Sequence, residues 1–169
     1  MPKPLPPLEL LREYLAFSPE GVITVRKRTN YGDRRPIGSV AGTHHREGYI
    51  QVQFFGILYL AHRLVFYEKH GWCPPIIDHI DGDGTNNRPD NMRPATKAQN
   101  RANGRKSILA KPTSSKLRGA IWHKGARKWM SAIYSKKKTK YLGLFETEIE
   151  AHQAFCKAAR DIYGEYFKP

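Results

Sequence analysis

The sequence predicts an α+β chain in two small parts. An N-terminal β-rich segment leads into a strand–loop–strand–helix core, and a three-stranded sheet with one helix follows. Three observations carry this. Short β-branched runs bounded by glycine recur between Gly21 and Leu60. Thr96 with Gln99, and Thr147 with Glu150, each spell a capping box that starts a helix. Between those helices, residues 104–113 read GRKSILAKPT, a basic stretch without hydrophobic period.

Taken in order, Pro2, Pro4, Pro6 and Pro7 make an extended lead-in. Leu8 to Phe17 reads as a short amphipathic helix with Leu8, Leu11 and Leu15 on one stripe. Strands are expected at Val22–Val25, Gly38–Gly42 and Tyr49–Phe54, and Ile57–Leu60 returns as the second arm of a hairpin turning at Gly56. Helical spacing takes over at Leu60, Leu64 and Val65 and stops at Gly71. Ile76–His79 and Asn91–Arg93 are short strands flanking a turn-rich loop, and a helix begins near Lys97 and carries Asn100. Further strands are expected at Gly119–His123, Lys128–Tyr134 and Thr139–Phe145. The last helix sets Ala151, Ala154, Phe155, Ala158 and Ile162 on one face and ends at Gly164.

With 169 residues the chain holds one domain or two small ones. Lys and Arg outnumber Asp and Glu by 29 to 15, a net charge of +14, which points to a polyanionic partner, nucleic acid being the commonest. Between Asn91 and Phe145 there are 15 Lys or Arg and no acid, so the charge is segregated as on a binding face. No apolar run approaches the length of about 18 residues that spans a membrane, and no basic amphipathic helix suits its surface. The N-terminal MPKPLPPLELLREYL has no export signal, so a cytoplasmic protein is expected. Cys73 and Cys156 are too few and too far apart for a cysteine zinc site and read as reduced thiols.

The chemistry gathers in residues 78–100, DHIDGDGTNNRPDNMRPATKAQN. No core accommodates so many amides and carboxylates unless a metal or phosphate satisfies them. Cutting a phosphodiester requires an activated water and a way to neutralise charge on phosphorus and the leaving oxygen. A neutral imidazole supplies the first near pH 7, and a divalent ion supplies the second. Asp78 and His79 point to opposite sides of a strand, so a metal site needs a further ligand, and the Thr96-capped helix offers Asn100. One carboxylate and one amide suit Mg²⁺ or Mn²⁺. Asp81, Asp83, Asn86 and Asn87 also read as ordinary turn formers.

HRLVF at His62–Phe66, IDHIDGDGTNNRPDNMRPAT and QNRAN resemble the phage homing-type HNH endonucleases. The resemblance implies a ββα-metal fold (the His-Me finger) over about residues 76–103. It also implies His79 as general base, Asn91 as the residue pinning the loop, and one metal ion held by Asp78 and Asn100. The last position is Asn100 instead of His, which disfavours zinc or nickel. His62 is expected beneath the site. Arg63, Arg88, Arg93 and Arg101 are candidate phosphate contacts, though each also suits a solvated charge.

SKLRGAIWHKGARKWMSAIY, YLGLF and EIEAHQAFCKAARDIYGEY resemble the APETALA-two/ERF DNA-binding domain of plant ethylene-response factors. That family lays a three-stranded sheet in the major groove with the helix behind it. Alternation turns Trp129, Ser131 and Ile133 towards the helix, and Lys128, Met130, Ala132 and Tyr134 outward. His123 and Tyr141 join the outward set, with Arg118, Arg127 and Lys136–Lys140 near the DNA backbone. Several arginines that read bases in the plant family are missing, which implies weaker or different sequence preference.

The expected organisation is an HNH domain at residues 1–103, a linker at 104–113 and a DNA-binding domain at 114–169. The expected function is metal-dependent cleavage of double-stranded DNA by a monomer or weak dimer, in a phage or bacterial setting. It needs one Mg²⁺ or Mn²⁺ per active site and no small-molecule cofactor. The alternatives from other classes are a non-catalytic sequence-specific DNA-binding regulator and an RNA-binding protein.

Overall fold

The computed structural model describes residues 3–29, 33–104 and 114–169; the expected linker, apart from Gly104, lies outside the described residues. Among the described residues the chain is mixed α and β, with small sheets and four helices, and it divides into two compact units, Met1–Ala95 and Thr96–Pro169.

In the first unit, α1 (Leu8–Tyr14) gives way at once to β1 (Leu15–Phe17), which pairs antiparallel with β2 (Ile23–Val25). The expected helix to Phe17 is therefore shorter by one turn. Leu15 lies opposite Val25 and both are buried, so pairing and core packing override the helical stripe. The strand expected at Gly38–Gly42 is reduced to a bridge between Val40 and Thr24, because Gly38 and Gly42 take positive φ and interrupt it. Pairing resumes in the sheet β3 (Thr43–His44), β4 (Ile50–Phe54) and β5 (Ile57–Leu60). Helix α2 (Ala61–His70) follows β5 directly and stops at left-handed Gly71.

Leu11, Leu15, Val52, Phe54, Leu64 and Phe66 form the centre of this unit's core. Ile77 and Met92 belong to the same cluster and anchor the next hairpin, β6 (Ile77–His79) with β7 (Met92–Pro94). A short 3-10 turn, Pro89–Asn91, brings the chain into β7, so Asn91 precedes the strand it was expected to begin.

The second unit begins with α3 (Lys97–Asn103), opened by the Thr96–Gln99 capping box. Strands β8 (Ala120–His123), β9 (Lys128–Ser135) and β10 (Lys138–Phe145) form an antiparallel sheet with β9 in the middle. Helix α4 (Glu148–Tyr163) starts at the Thr147–Glu150 capping box and packs on the sheet. Its buried face is Ala151, Cys156 and Ala159, and Ile162, expected on that face, is exposed. Ala102 of α3 is buried with Ile133, Cys156, Ala159 and Phe167. A helix as short as α3 is marginal alone, and this shared core is what holds it. Arg118 adds to it by donating from Nη1 to the carbonyls of Ala102 at 3.0 Å and Lys168 at 2.8 Å. The first contact satisfies a carbonyl in the last turn of α3.

Candidate active site

Register places Asp78 opposite Arg93 and His79 opposite Met92 on the β6–β7 hairpin. All three residues of β6 are buried, so neither Asp78 nor His79 is a surface group. The Asp78 carboxylate, 1% exposed, accepts from Arg93 Nε at 2.9 Å, and the pairing compensates a charge that burial alone would make costly. Arg93, expected at a phosphate, is thus engaged at the carboxylate. A carboxylate has several lone-pair positions and is a hard oxygen donor.

His79 Nε2 lies 3.1 Å from Asn87 Oδ1, and both residues are buried. An amide oxygen only accepts, so Nε2 is the ring nitrogen that donates its proton here. Around it, the His62 ring meets the His79 ring edge to face with centroids 5.2 Å apart, and Tyr49 lies 5.3 Å from His62 and 6.1 Å from His79. His62 is buried with Nδ1 unpartnered among the described residues. Desolvation first, then the nearby His79 and Arg63, push its pKa down to about 3, so it is a neutral ring of the wall behind His79.

The loop between the strands is tied by Asn91. Its Oδ1 accepts from Asp81 N at 3.1 Å, and its Nδ2 donates to Asp81 Oδ1 at 3.0 Å and to Asn86 O at 2.8 Å. Asp81 also accepts from Asp83 N and from Asn86 Nδ2. Burial works against the Asp81 charge, but these hydrogen bonds outweigh it and hold the carboxyl below its ordinary range. Asp83 is held low by the backbone and hydroxyl of Thr85. Both aspartates therefore serve the turn. The N-terminal hairpin packs on the same loop: Gly21, at φ 78°, sits so close that a Cβ there would lie 2.0 Å from the Asn87 carbonyl oxygen.

Asn100 is exposed on α3, in the second unit. Its side-chain amide oxygen is a hard donor of the kind magnesium and manganese take. Among the described residues no group of three or more His, Cys, Asp or Glu is gathered where it could hold a metal ion.

The other expected contacts divide by what already holds them. Arg63 donates to the carbonyls of Pro74 and Pro75, Lys128 pairs with Glu146 at 2.6 Å, and Arg88 lies 3.6 Å from Asp90. His123 accepts from Ala126 N at 3.0 Å. Arg101, Arg127, Tyr134, Lys138 and Tyr141 are exposed, and Met130 is half-buried. Ser131 and Ile133 face the helix core, and Trp122 packs edge to face on Trp129 at 5.3 Å.

Sequence reasoning passed over Asn87, which it read as a turn former, and Tyr49. Nothing in the text TNN separates Asn86, which binds Asp81, from Asn87, which meets His79. No described helix is long and apolar enough to cross a membrane. Residues 59–102 match a family model described as HNH endonuclease, and the match supports nuclease action on DNA. No solved structure matches the chain.

Proposed function

We propose that this chain is a metal-dependent endonuclease of the homing type that hydrolyses phosphodiester bonds in double-stranded DNA. The observation that carries the reading is the His79–Asn87 contact, which turns a basic ring nitrogen away from the amide. In this mechanism His79 Nδ1 takes a proton from the attacking water. The buried partners of the ring keep it oriented beforehand. Asn91 fixes the loop that bears Asn87, and Arg93 holds the Asp78 carboxylate in place. Asp78 and Asn100 are the residues we assign to one Mg²⁺ or Mn²⁺. When bound, such an ion stabilises charge on phosphorus and on the leaving oxygen. The resemblance implies products with a 5′-phosphate and a 3′-hydroxyl. We assign residues 114–169 to DNA positioning by an ERF-like sheet, with Tyr134, Tyr141, Lys138 and Arg127 outward.

Supercoiled plasmid with Mg²⁺ tests the reading. Wild type is expected to nick it, and His79→Ala to lose about 10²–10⁴-fold in rate. Undiminished cutting by His79→Ala would rule out the base assignment. Duplex binding without cutting in any divalent ion would favour a DNA-binding regulator.

A further inference from the structure

The second unit contains a basic cleft of about 370 Å³, and no acidic residue lines it. Lys97 and Arg101 on α3 form one wall, and Lys136 and Lys137 at the β9–β10 turn form the other. Phe155 and Tyr163 also line it. None of these four cations pairs with a described acid, and all four are exposed.

The turn itself is an independent observation. Ser135 pairs with Lys138, so Lys136 and Lys137 are the two central residues of a two-residue hairpin, with φ of 50° and 61°. Both central positions at positive φ define the type that favours Asn-Gly, because L side chains are strained there. This chain places two lysines at those positions. Strain retained where a turn could be relaxed at no cost in length marks a position kept for its side chains.

We propose that this cleft seats a phosphodiester backbone segment of the bound DNA, held between α3 and the β9–β10 turn. Four cations with no carboxylate in the described lining recognise a polyanion, and an open cleft that also carries Tyr134, Phe155 and Tyr163 suits a sugar–phosphate strand better than a compact ion. The strand would then run along the helix that bears Asn100, so the turn lysines would set where the backbone lies along α3. The proposal rests on the DNA-substrate reading above and specifies where that substrate is gripped.

The test is binding of a short labelled duplex by full-length protein in EDTA, between about 50 and 200 mM NaCl. Lys136→Asn combined with Lys137→Gly installs the favoured turn while removing both charges, so thermal stability should be retained or raised. The expected result is weaker binding with a salt slope shallower by about 1–2. Lys97→Gln with Arg101→Gln should do the same. The two pairs combined should lose less than the sum, since one strand touches both walls. Unchanged affinity and slope in both pairs would overturn the proposal. So would a wild-type stabilisation by inorganic phosphate that the turn variant loses while duplex binding stays intact. Because no divalent ion is present, failure here leaves plasmid nicking untouched, and failure of nicking leaves this result standing.

Discussion

The side-chain oxygen of Asn87 lies 3.1 Å from Nε2 of His79, and this contact selects the tautomer of a buried ring. Replacing Asn87 by Leu removes the acceptor and leaves a buried N–H unsatisfied. The expected cost is about 1–3 kcal/mol in stability and at least about tenfold in nicking rate. Asn87→Asp puts a carboxylate beside the ring and favours the imidazolium. The acid limb of the pH–rate profile should move to higher pH, with activity recovering on the alkaline side. Asn86→Ala, which loosens the Asp81 turn without touching His79, should leave that limb in place.

Gly21 is held against the Asn87 carbonyl at positive φ. Gly21→Ala adds a methyl where there is no room and strains the backbone, at about 1–3 kcal/mol for the conformation alone. A lower melting temperature and a nicking defect like that of Asn87→Leu are expected, although Gly21 lies far from His79 in sequence. A variant that melts and cuts like wild type would refute this packing.

His62 links stability to pH. Its folded value of about 3 lies below the ordinary 6.5 of a histidine, so between those values the unfolded chain binds the extra proton. The stability contributed by the neutral buried ring is complete above about pH 6.5 and is lost as pH falls towards 3, by a few kcal/mol at most. His62→Gln carries no such proton. Its denaturation midpoint should depend less steeply on pH over this window, as urea titrations at several pH values would show.

Arg118 and the turn lysines should separate experimentally. Arg118 gives Nη1 to two carbonyls and lies over the rings of Phe155 and Phe167. Arg118→Ala leaves those carbonyls unsatisfied, at about 1–3 kcal/mol each if no water replaces it, and loosens the end of α3. The expected outcome is a lower melting temperature, with a smaller change in the salt slope for duplex binding than the paired turn-lysine variant gives. Arg118→Lys should recover part of the stability.

The hairpin core was legible because its signals are local. Ile77 and Met92 are apolar residues beside polar ones, and two threonines three residues ahead of Gln99 and Glu150 start helices wherever they occur. The shortened α1 was not legible, since the stripe through Leu15 fits a helix and a strand equally until Val25 is placed opposite it. Ile162 was misread for a related reason. The face of α4 that becomes core depends on where the sheet lies, and the burial of Cys156 and Ala159 defines that face.

The sequence by itself determined the reaction class and its residue types: a histidine beside an aspartate, a loop of amides, and a basic acid-free stretch beyond them. Those follow from chemistry, which residue identity carries. Only the tertiary structure decided which amide meets the imidazole, that Arg93 pairs with Asp78, and that α3 shares a core with the C-terminal sheet. Such choices depend on distances between residues far apart in the chain. Side-chain hydrogen bonds act over about 3 Å, a scale that only folding fixes.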